Sequence, residues 1–191
     1  MEKFNHYFEN HIAEKIELDT VTIIDYYNPE YKQMHNLRYI FDKKHSSLAI
    51  IGDFGELVAV NYSNIGDWIE FYSDFTNNPE YFIEKVRVHS RSLYKYDIDK
   101  AQKNILTEFF CGKEYDELDF DDSEIFDEMF EYFDGQYGFR HISDDVREFI
   151  SQHDEEYYVT LEHAGRRISD IVYLYLDAYR RAYEYLTRES Q

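Results

Sequence analysis

The chain has 191 residues, 43% of them hydrophobic, which is enough to bury the core of one domain. Asp and Glu number 40 against 20 Lys and Arg, and the formal net charge is −20. Nucleic-acid binding is driven by Lys and Arg that displace counterions from phosphates, so this balance argues against direct binding of nucleic acid. The one cysteine, Cys111, excludes an internal disulfide and is expected to be a buried thiol in a reducing cytoplasm.

Targeting and membrane signals are not evident in the sequence. It has no apolar run of about eighteen residues, and its first residues lack the apolar core of a signal peptide. We therefore expect a soluble, cytoplasmic protein that does not bind membranes. With only 2 Pro and 7 Gly, no flexible linker is expected. The sequence predicts a single α+β domain over 1–191, with two possible lobes, a β-meander over 1–76 and a helical, acidic lobe over 77–191.

The N-terminal third favours a small antiparallel β-meander of three or four strands. Segment 20–27 (TVTIIDYY) is rich in β-branched and aromatic residues, and Asn28-Pro29 predicts the turn that follows it. Further strands are expected over 35–41, 47–54 and 57–62, with connections of hairpin length between them.

After Ser63 the apolar spacing becomes helical, so the fold class predicted is α+β with a mainly helical C-terminal region. Helices are expected over 65–75, from Asn78-Pro79 onward, from an Asp97 N-cap to Gly112, from Ser143 onward, and over 168–188. A further, acidic helix is expected over 124–133, with Ser123 as its N-cap and Gly135 at its end.

The most informative segment is acidic: from Glu114 to Phe139, 26 residues contain no Lys or Arg. Its first 21 residues hold eleven carboxylates, and the large apolar residues between them indicate that the segment folds. On the expected helix the carboxylates are separated from an apolar side formed by Ile125, Phe126, Met129, Phe130 and Phe133. Crowded like charges reduce stability, and a cationic partner would relieve their repulsion.

This pattern predicts a surface that binds a basic, nucleic-acid-binding protein. The residues expected to contact the partner are Tyr115, Asp116, Glu117, Asp119, Asp121, Asp122, Asp127, Glu128, Glu131, Tyr132 and Asp134. The ordinary alternative is a solvated acidic face without a partner. Two further alternatives concern the basic residues near the C-terminus, which either neutralise the acidic surface within the fold or bind DNA: Arg166, Arg167, Arg180 and Arg181.

No catalytic residue, metal site or cofactor is predicted. The tripeptide Asp53-Phe54-Gly55 matches one whose Asp holds magnesium in protein kinases, but the glycine-rich loop and catalytic-loop motif are absent, which favours a strand turn. Segment 119–128 lacks the central Gly of an EF-hand loop, so weak divalent-cation binding is the alternative there. A small metal-dependent enzyme is the remaining, less favoured alternative.

The stretch from His35 to Tyr62 (HNLRYIFDKKHSSLAIIGDFGELVAVNY), followed by the segment YFIEK over 81–85, resembles a group of proteins from phages and prophages of Firmicutes. They share a meander with a GD(F/Y/W)G-type turn and then a helix. These two stretches hold 33 of the 191 residues and do not include the acidic segment. It implies an inhibitor of host defence, such as a type II anti-CRISPR protein that blocks Cas9, and carries over no catalytic residue.

Joined to the acidic segment, the resemblance predicts a phage-type inhibitor that binds a Cas9–guide RNA complex. Cas9 holds its heteroduplex in a positively charged channel, which a DNA-mimicking row of carboxylates would occupy. The alternative is an acidic interaction protein for another basic phage or host protein.

Overall fold

The computed structural model describes residues 2–31, 34–152 and 156–188. The chain forms two compact units: unit 1 comprises Met1–Leu93 and Ser169–Gln191, and unit 2 is Tyr94–Ile168. The predicted α+β class is confirmed, with an N-terminal antiparallel meander followed by a mainly helical region. Unit 2 is inserted between two positions of unit 1 that lie side by side, because the Ser169 backbone N–H donates to the Leu93 carbonyl at 2.9 Å.

In the described part of unit 1, six antiparallel strands form a sheet in which chain order is also spatial order. They are β1 (Ile12–Glu17), β2 (Val21–Tyr27), β3 (Leu37–Asp42), β4 (Ser47–Gly52), β5 (Gly55–Val60) and β6 (Val86–His89). The predicted strands correspond to β2 through β5. Strand β1 (IAEKIE) escapes prediction because Ala, Glu and Lys are depleted in strands, and β6 is only four residues long.

The tripeptide Asp53-Phe54-Gly55 closes the hairpin between β4 and β5, which confirms the predicted turn. Gly55 has φ 115°, and a Cβ there would lie 2.8 Å from side-chain atoms of Ser90 and Arg91. The Asp53 carboxylate accepts a hydrogen bond from the Asn36 backbone N–H at 2.8 Å. This carboxylate therefore ties the hairpin to the chain that enters β3.

Two short helices follow the meander, α1 (Trp68–Phe75) and α2 (Pro79–Lys85). Asp67 caps α1, because its Oδ1 accepts hydrogen bonds from the backbone N–H groups of Ile69 and Glu70 at 2.8 and 3.2 Å. Asn78 caps α2 and Pro79 takes its first position, as predicted.

The described residues of unit 2 form short helices and two small antiparallel ribbons. Its elements are β7 (Tyr94–Tyr96), α3 (Ile98–Phe109), α4 (Phe120–Glu131), β8 (Phe133–Asp134), β9 (Gly138–Phe139), α5 (Asp144–Ser151), α6 (Tyr157–His163) and β10 (Arg166–Ile168). Strand β7 pairs with β10, and β8 pairs with β9. The predicted N-cap Asp97 is confirmed, and Ser143, where a helix was predicted to begin, is the N-cap of α5. Each helix contributes to one buried core, for example through Ile105, Met129, Val146 and Leu161.

Cys111 is exposed, so the expectation of a buried thiol is wrong. It follows the end of α3, where Cys111 and Gly112 adopt left-handed conformations with φ 57° and 73°. The chain therefore turns away from the helix axis at Cys111, and the thiol leaves the apolar stripe of α3.

The long C-terminal helix α7 (Asp170–Arg188) covers one face of the sheet of unit 1. The Tyr39 hydroxyl donates to the Tyr175 carbonyl at 2.7 Å, and the Tyr179 hydroxyl donates to the Trp68 carbonyl. The rings of Phe71 and Tyr179 meet edge-on, 4.8 Å apart. These buried contacts fix α7 to β3 and α1 together. Within the described residues, no helix has the length and apolar character needed to cross a membrane.

We expect the protein to lose stability steeply above about pH 10, the usual pKa of tyrosine. Burial raises the pKa of Tyr175 to about 12, and burial also raises the pKa values of Tyr26, Tyr39 and Tyr179. The unfolded phenols ionise first, so each group favours unfolding by about 1.4 kcal/mol per pH unit between its unfolded and folded pKa values. Urea unfolding at several pH values between about 9 and about 11 measures this slope.

The variant Tyr39→Phe should reduce that slope by about 1.4 kcal/mol per pH unit. At neutral pH it should cost about 1 kcal/mol, because the hydrogen bond to the Tyr175 carbonyl is lost. Tyr62 is fully exposed, and Tyr62→Phe should leave both quantities unchanged. A Tyr39→Phe protein with the native slope would contradict this account.

Candidate acidic interface

The acidic segment, residues 114–134, folds as a 3₁₀ turn over Tyr115–Glu117, helix α4 and strand β8. The prediction of Ser123 as the N-cap is wrong, because Asp119 caps the helix and accepts a hydrogen bond from the Asp122 backbone N–H at 2.9 Å. The Ser123 hydroxyl instead donates to the Phe120 carbonyl. Asp and Ser are both good N-caps. The earlier start is favoured because it places two carboxylates in the first turn, next to the positive end of the helix dipole.

The 3₁₀ turn is held against α4 by two sets of contacts. The Tyr115 hydroxyl donates to both oxygens of Asp127, at 3.1 and 3.0 Å, and this hydrogen bond raises the pKa of Tyr115. The Tyr115 ring lies 5.4 Å from the ring of Phe126. Within the turn, Glu117 accepts a hydrogen bond from the Glu114 backbone N–H at 3.1 Å. The segment is therefore an ordered surface that packs partly on itself.

Several of the predicted contact carboxylates have local structural partners. Asp122 forms an ion pair with Lys113 at 3.2 Å. Asp134 accepts hydrogen bonds from the backbone N–H groups of Gln136 and Tyr137 at 2.7 and 3.0 Å. Together with the hydrogen bonds described above, these contacts occupy a set of five carboxylates: Glu117, Asp119, Asp122, Asp127 and Asp134.

The other predicted carboxylates have neither a hydrogen bond nor an ion pair in the part of the chain that the structure describes; they are Asp116, Asp121, Glu128 and Glu131. Among the described residues, Lys113 is the one cation that pairs with the acidic segment. The structure thus divides the predicted set into carboxylates that build the segment and carboxylates that face solvent.

A row that we call the acidic stripe runs along one side of α4. Its residues follow at intervals of three, four and three, which places them on one side of the helix: Asp121, Glu124, Glu128 and Glu131. At 1.5 Å per residue the stripe is about 15 Å long. Glu128 is partly exposed and the other three are exposed. Glu124 is missing from the predicted contact set, although the spacing of its neighbours would have identified it.

The apolar side of α4 packs into the core of unit 2, as predicted. Phe126 and Met129 are buried, while Ile125, Phe130 and Phe133 are partly buried against the same core. The helix is therefore fixed by its apolar side, and the acidic stripe faces outward without a role in that packing.

The stripe is electrostatically unfavourable at one end of the helix. Asp121 lies in the first turn, where the helix dipole favours an acidic side chain. Glu128 and Glu131 lie in the last turn, where the dipole disfavours them, and residues 128–131 (EMFE) include no basic side chain. These two glutamates therefore reduce the stability of the helix.

Exposed aromatic side chains lie in the same segment. The predicted contacts Tyr115 and Tyr132 are each 43% exposed. Phe120 is 77% exposed and lies one turn before Glu124 of the stripe. Phe120 is absent from the predicted contact set. The helical spacing would have identified it, because it places Phe120 outside the apolar side of α4 and therefore in solvent. Large exposed rings next to charged groups are the usual anchors of protein interfaces.

Three of the four arginines predicted as internal partners have other contacts, and the fourth, Arg167, is exposed. Arg180 and Arg181 form ion pairs with Asp177 of their own helix, at 3.7 and 2.9 Å, and Asp177 is only 7% exposed. Arg166 lies over the ring of Tyr94, at 3.7 Å from its centroid. These three arginines balance charge and pack against rings within their own units.

The described residues contain no cluster of three or more His, Cys, Asp or Glu side chains that could hold a metal ion. Catalysis by carboxylates likewise needs groups that converge on one reacting atom. The carboxylates of the stripe follow one another along a helix, which is suited to contact with an extended, positively charged surface.

The position of the N-cap can be tested by two alanine variants. Asp119→Ala should destabilise the protein by about 1 kcal/mol, because the Asp122 N–H loses its acceptor at the helix start. Ser123→Ala should change stability by less than about 0.5 kcal/mol, since Ser123 is a partly exposed residue inside the helix, where Ala is favoured. Urea unfolding measures both values. A larger loss for Ser123→Ala than for Asp119→Ala would contradict the helix start described here.

Comparisons of the chain with known protein families, curated proteins and solved structures find no match. The resemblance of the meander to phage proteins therefore stays a prediction.

Proposed function

We propose that the chain is an acidic protein-binding protein, whose acidic stripe occupies a basic, nucleic-acid-binding surface of another protein. The observation that carries this proposal is the stripe itself, in which carboxylates without cationic partners among the described residues follow one another on the outer side of α4. The opposite side of the helix is committed to the core. Glu128 and Glu131 reduce helix stability where they stand, which supports a role outside the fold.

The spacing of the stripe is suited to imitation of a nucleic-acid strand. One carboxylate follows another at about 5 Å along the helix axis. In duplex DNA each strand carries one phosphate per about 3.4 Å of axis. The charge density is thus lower than that of DNA but of the same order, and Lys and Arg side chains that hold phosphates can also hold these carboxylates.

Charge and aromatic contact have different roles in this proposal. Exposed ion pairs contribute about 0 to 1 kcal/mol each, so the stripe mainly accelerates and orients the encounter. Phe120, Tyr115 and Tyr132 provide the apolar area that slows dissociation. The interface therefore combines an acidic row with aromatic anchors from the same segment.

A guide-loaded Cas9 complex is the proposed partner to test first. Its channel binds the heteroduplex through backbone contacts, and arginines read the short duplex motif beside the target. An acidic stripe bound in the channel would exclude DNA. The resemblance of residues 35–62 to phage proteins supports an inhibitor of this kind. The alternative partner is another basic phage or host protein.

The experiment mixes the full chain with a panel of Cas9 enzymes loaded with guide RNA, and measures complex formation, target-DNA binding and cleavage. We expect inhibition of at least one enzyme, and we expect it to weaken when the salt concentration rises, because salt screens exposed charges. Absence of both complex and inhibition throughout the panel would overturn the Cas9 assignment. Inhibition that is insensitive to salt would argue against the stripe as the determinant.

A charge-neutral variant tests the stripe directly; it combines Asp121→Asn, Glu124→Gln, Glu128→Gln and Glu131→Gln. We expect it to bind the partner at least tenfold more weakly and yet to be more stable. Neutralising Glu128 and Glu131 in the C-terminal turn of α4 should stabilise the protein by about 0.3–1 kcal/mol each, which outweighs a loss of about the same size from the single favourable carboxylate Asp121. Urea unfolding and equilibrium binding measure the two effects, and a loss of binding with a gain in stability excludes misfolding as its cause.

A control variant carries the same change in net charge at exposed positions of α3 and α5; it combines Asp99→Asn, Glu108→Gln, Asp145→Asn and Glu148→Gln. It should bind like the native protein. An equal loss of affinity in the two variants would mean that only the net charge matters, and it would contradict the role of the stripe.

A further inference from the structure

The face of the sheet opposite α7 is unusually apolar. Antiparallel sheets that cover a core on one side normally place polar side chains on the other side. Here each of the six strands contributes one apolar residue to a row in register across that second face, which we call the apolar row: Ile16, Ile23, Ile40, Ala49, Val58 and Val88. Cross-strand partners in register point to the same face, so the row is continuous.

The apolar row is accessible over its whole width. Exposure is 48% for Ile16, 37% for Val58 and 63% for Val88, and the three residues between Ile16 and Val58 are partly exposed. The neighbouring rows add Ile51 at 41% and Val60 at 37%. Scattered surface apolar residues are normal, but a contiguous band of them marks an interaction surface.

We propose that this face packs against the same face of a second copy of the chain, so that two sheets enclose the two apolar rows. Five strands of about six residues and the four residues of β6, at about 4.8 Å between strands and about 3.3 Å per residue, give roughly 540 Å² in plane. Side-chain relief makes the accessible area larger than this plane. The face is therefore close to the roughly 800 Å² per partner of a standard interface.

Two of the charged side chains that flank the row suit this arrangement. On β3, Arg38 and Asp42 lie two residues on either side of Ile40 and share its face. Within one copy Arg38 forms an ion pair with Asp25 at 2.6 Å and Asp42 lies 2.7 Å from His45, and both Arg38 and Asp42 remain partly exposed. A two-fold axis along the row places β3 of one copy antiparallel over β3 of the other. Arg38 of each copy then lies over Asp42 of the other copy, and the contact occurs twice by symmetry. Sheets stacked about 10 Å apart, with interdigitated side chains, form the cores of β-sandwiches in this way.

The net charge of each copy, −20, opposes this association. Salt reduces that repulsion within a screening length of about 8 Å at physiological ionic strength. Self-association should therefore strengthen as salt rises, whereas binding of a basic partner by the acidic stripe should weaken. The opposite salt dependences separate this inference from the proposed function, and either can fail without the other.

Sedimentation velocity of the full chain, over a range of protein concentrations at low and at high salt, tests the inference. We expect a monomer–dimer equilibrium that shifts toward dimer with concentration and with salt. Val58→Glu and Val88→Glu, each at an exposed position of the row, should raise the dissociation constant at least tenfold. Val159→Glu, at a site in α6 that is 53% exposed, is the matched control and should dimerise like the native protein.

Circular dichroism and urea unfolding establish that each variant is folded before its association is measured. A native protein that stays monomeric at every concentration and salt level would overturn the inference. So would a dimer that both Val58→Glu and Val88→Glu leave intact while the two variants are folded.

Discussion

The packing of α7 on the sheet is the constraint on which the rest of unit 1 depends. A buried phenol has to donate its hydrogen bond, and Tyr39 and Tyr179 donate to carbonyls of α7 and α1. The sheet, α1 and α7 are thereby fixed to one another through two polar contacts inside an aromatic core. Because these helices all use one face of the sheet, the apolar row on the other face is left exposed.

In unit 2, helix α4 packs its apolar side into the core and presents its acidic side to solvent. The core requires Phe126 and Met129, while nothing in the packing requires the outward carboxylates of α4. Local hydrogen bonds explain why Asp119, Asp127 and Asp134 are acidic. They do not explain Glu128 and Glu131, which oppose the helix dipole. This unexplained electrostatic cost at an ordered, exposed surface supports the proposal that the segment binds an external partner.

Local patterns predict much of this architecture, and contacts between distant residues account for what they miss. Strand alternation predicts β2–β5, and the N-caps Asn78, Asp97 and Ser143 follow from the local sequence. Strand β1 is stabilised by pairing with β2 rather than by its own composition. The apolar and acidic sides of α4 follow from helical spacing. The carboxylates that lack a hydrogen bond could not be predicted in the same way. The Tyr115 hydroxyl donates to Asp127, twelve residues further along the chain, and the local sequence does not indicate that contact.

The hydrogen bond between Ser169 and Leu93 shows that unit 2 begins and ends at neighbouring backbone positions of unit 1. For the stability of unit 1, unit 2 is therefore equivalent to one large loop. The entropy lost on closing a loop rises only by about 0.6 kcal/mol for each doubling of its length. Unit 1 can therefore carry inserts of very different length and charge between β6 and α7 without a large loss of stability. Unit 2 is therefore an insert that a different domain could replace, because the fold of unit 1 does not depend on which sequence is inserted.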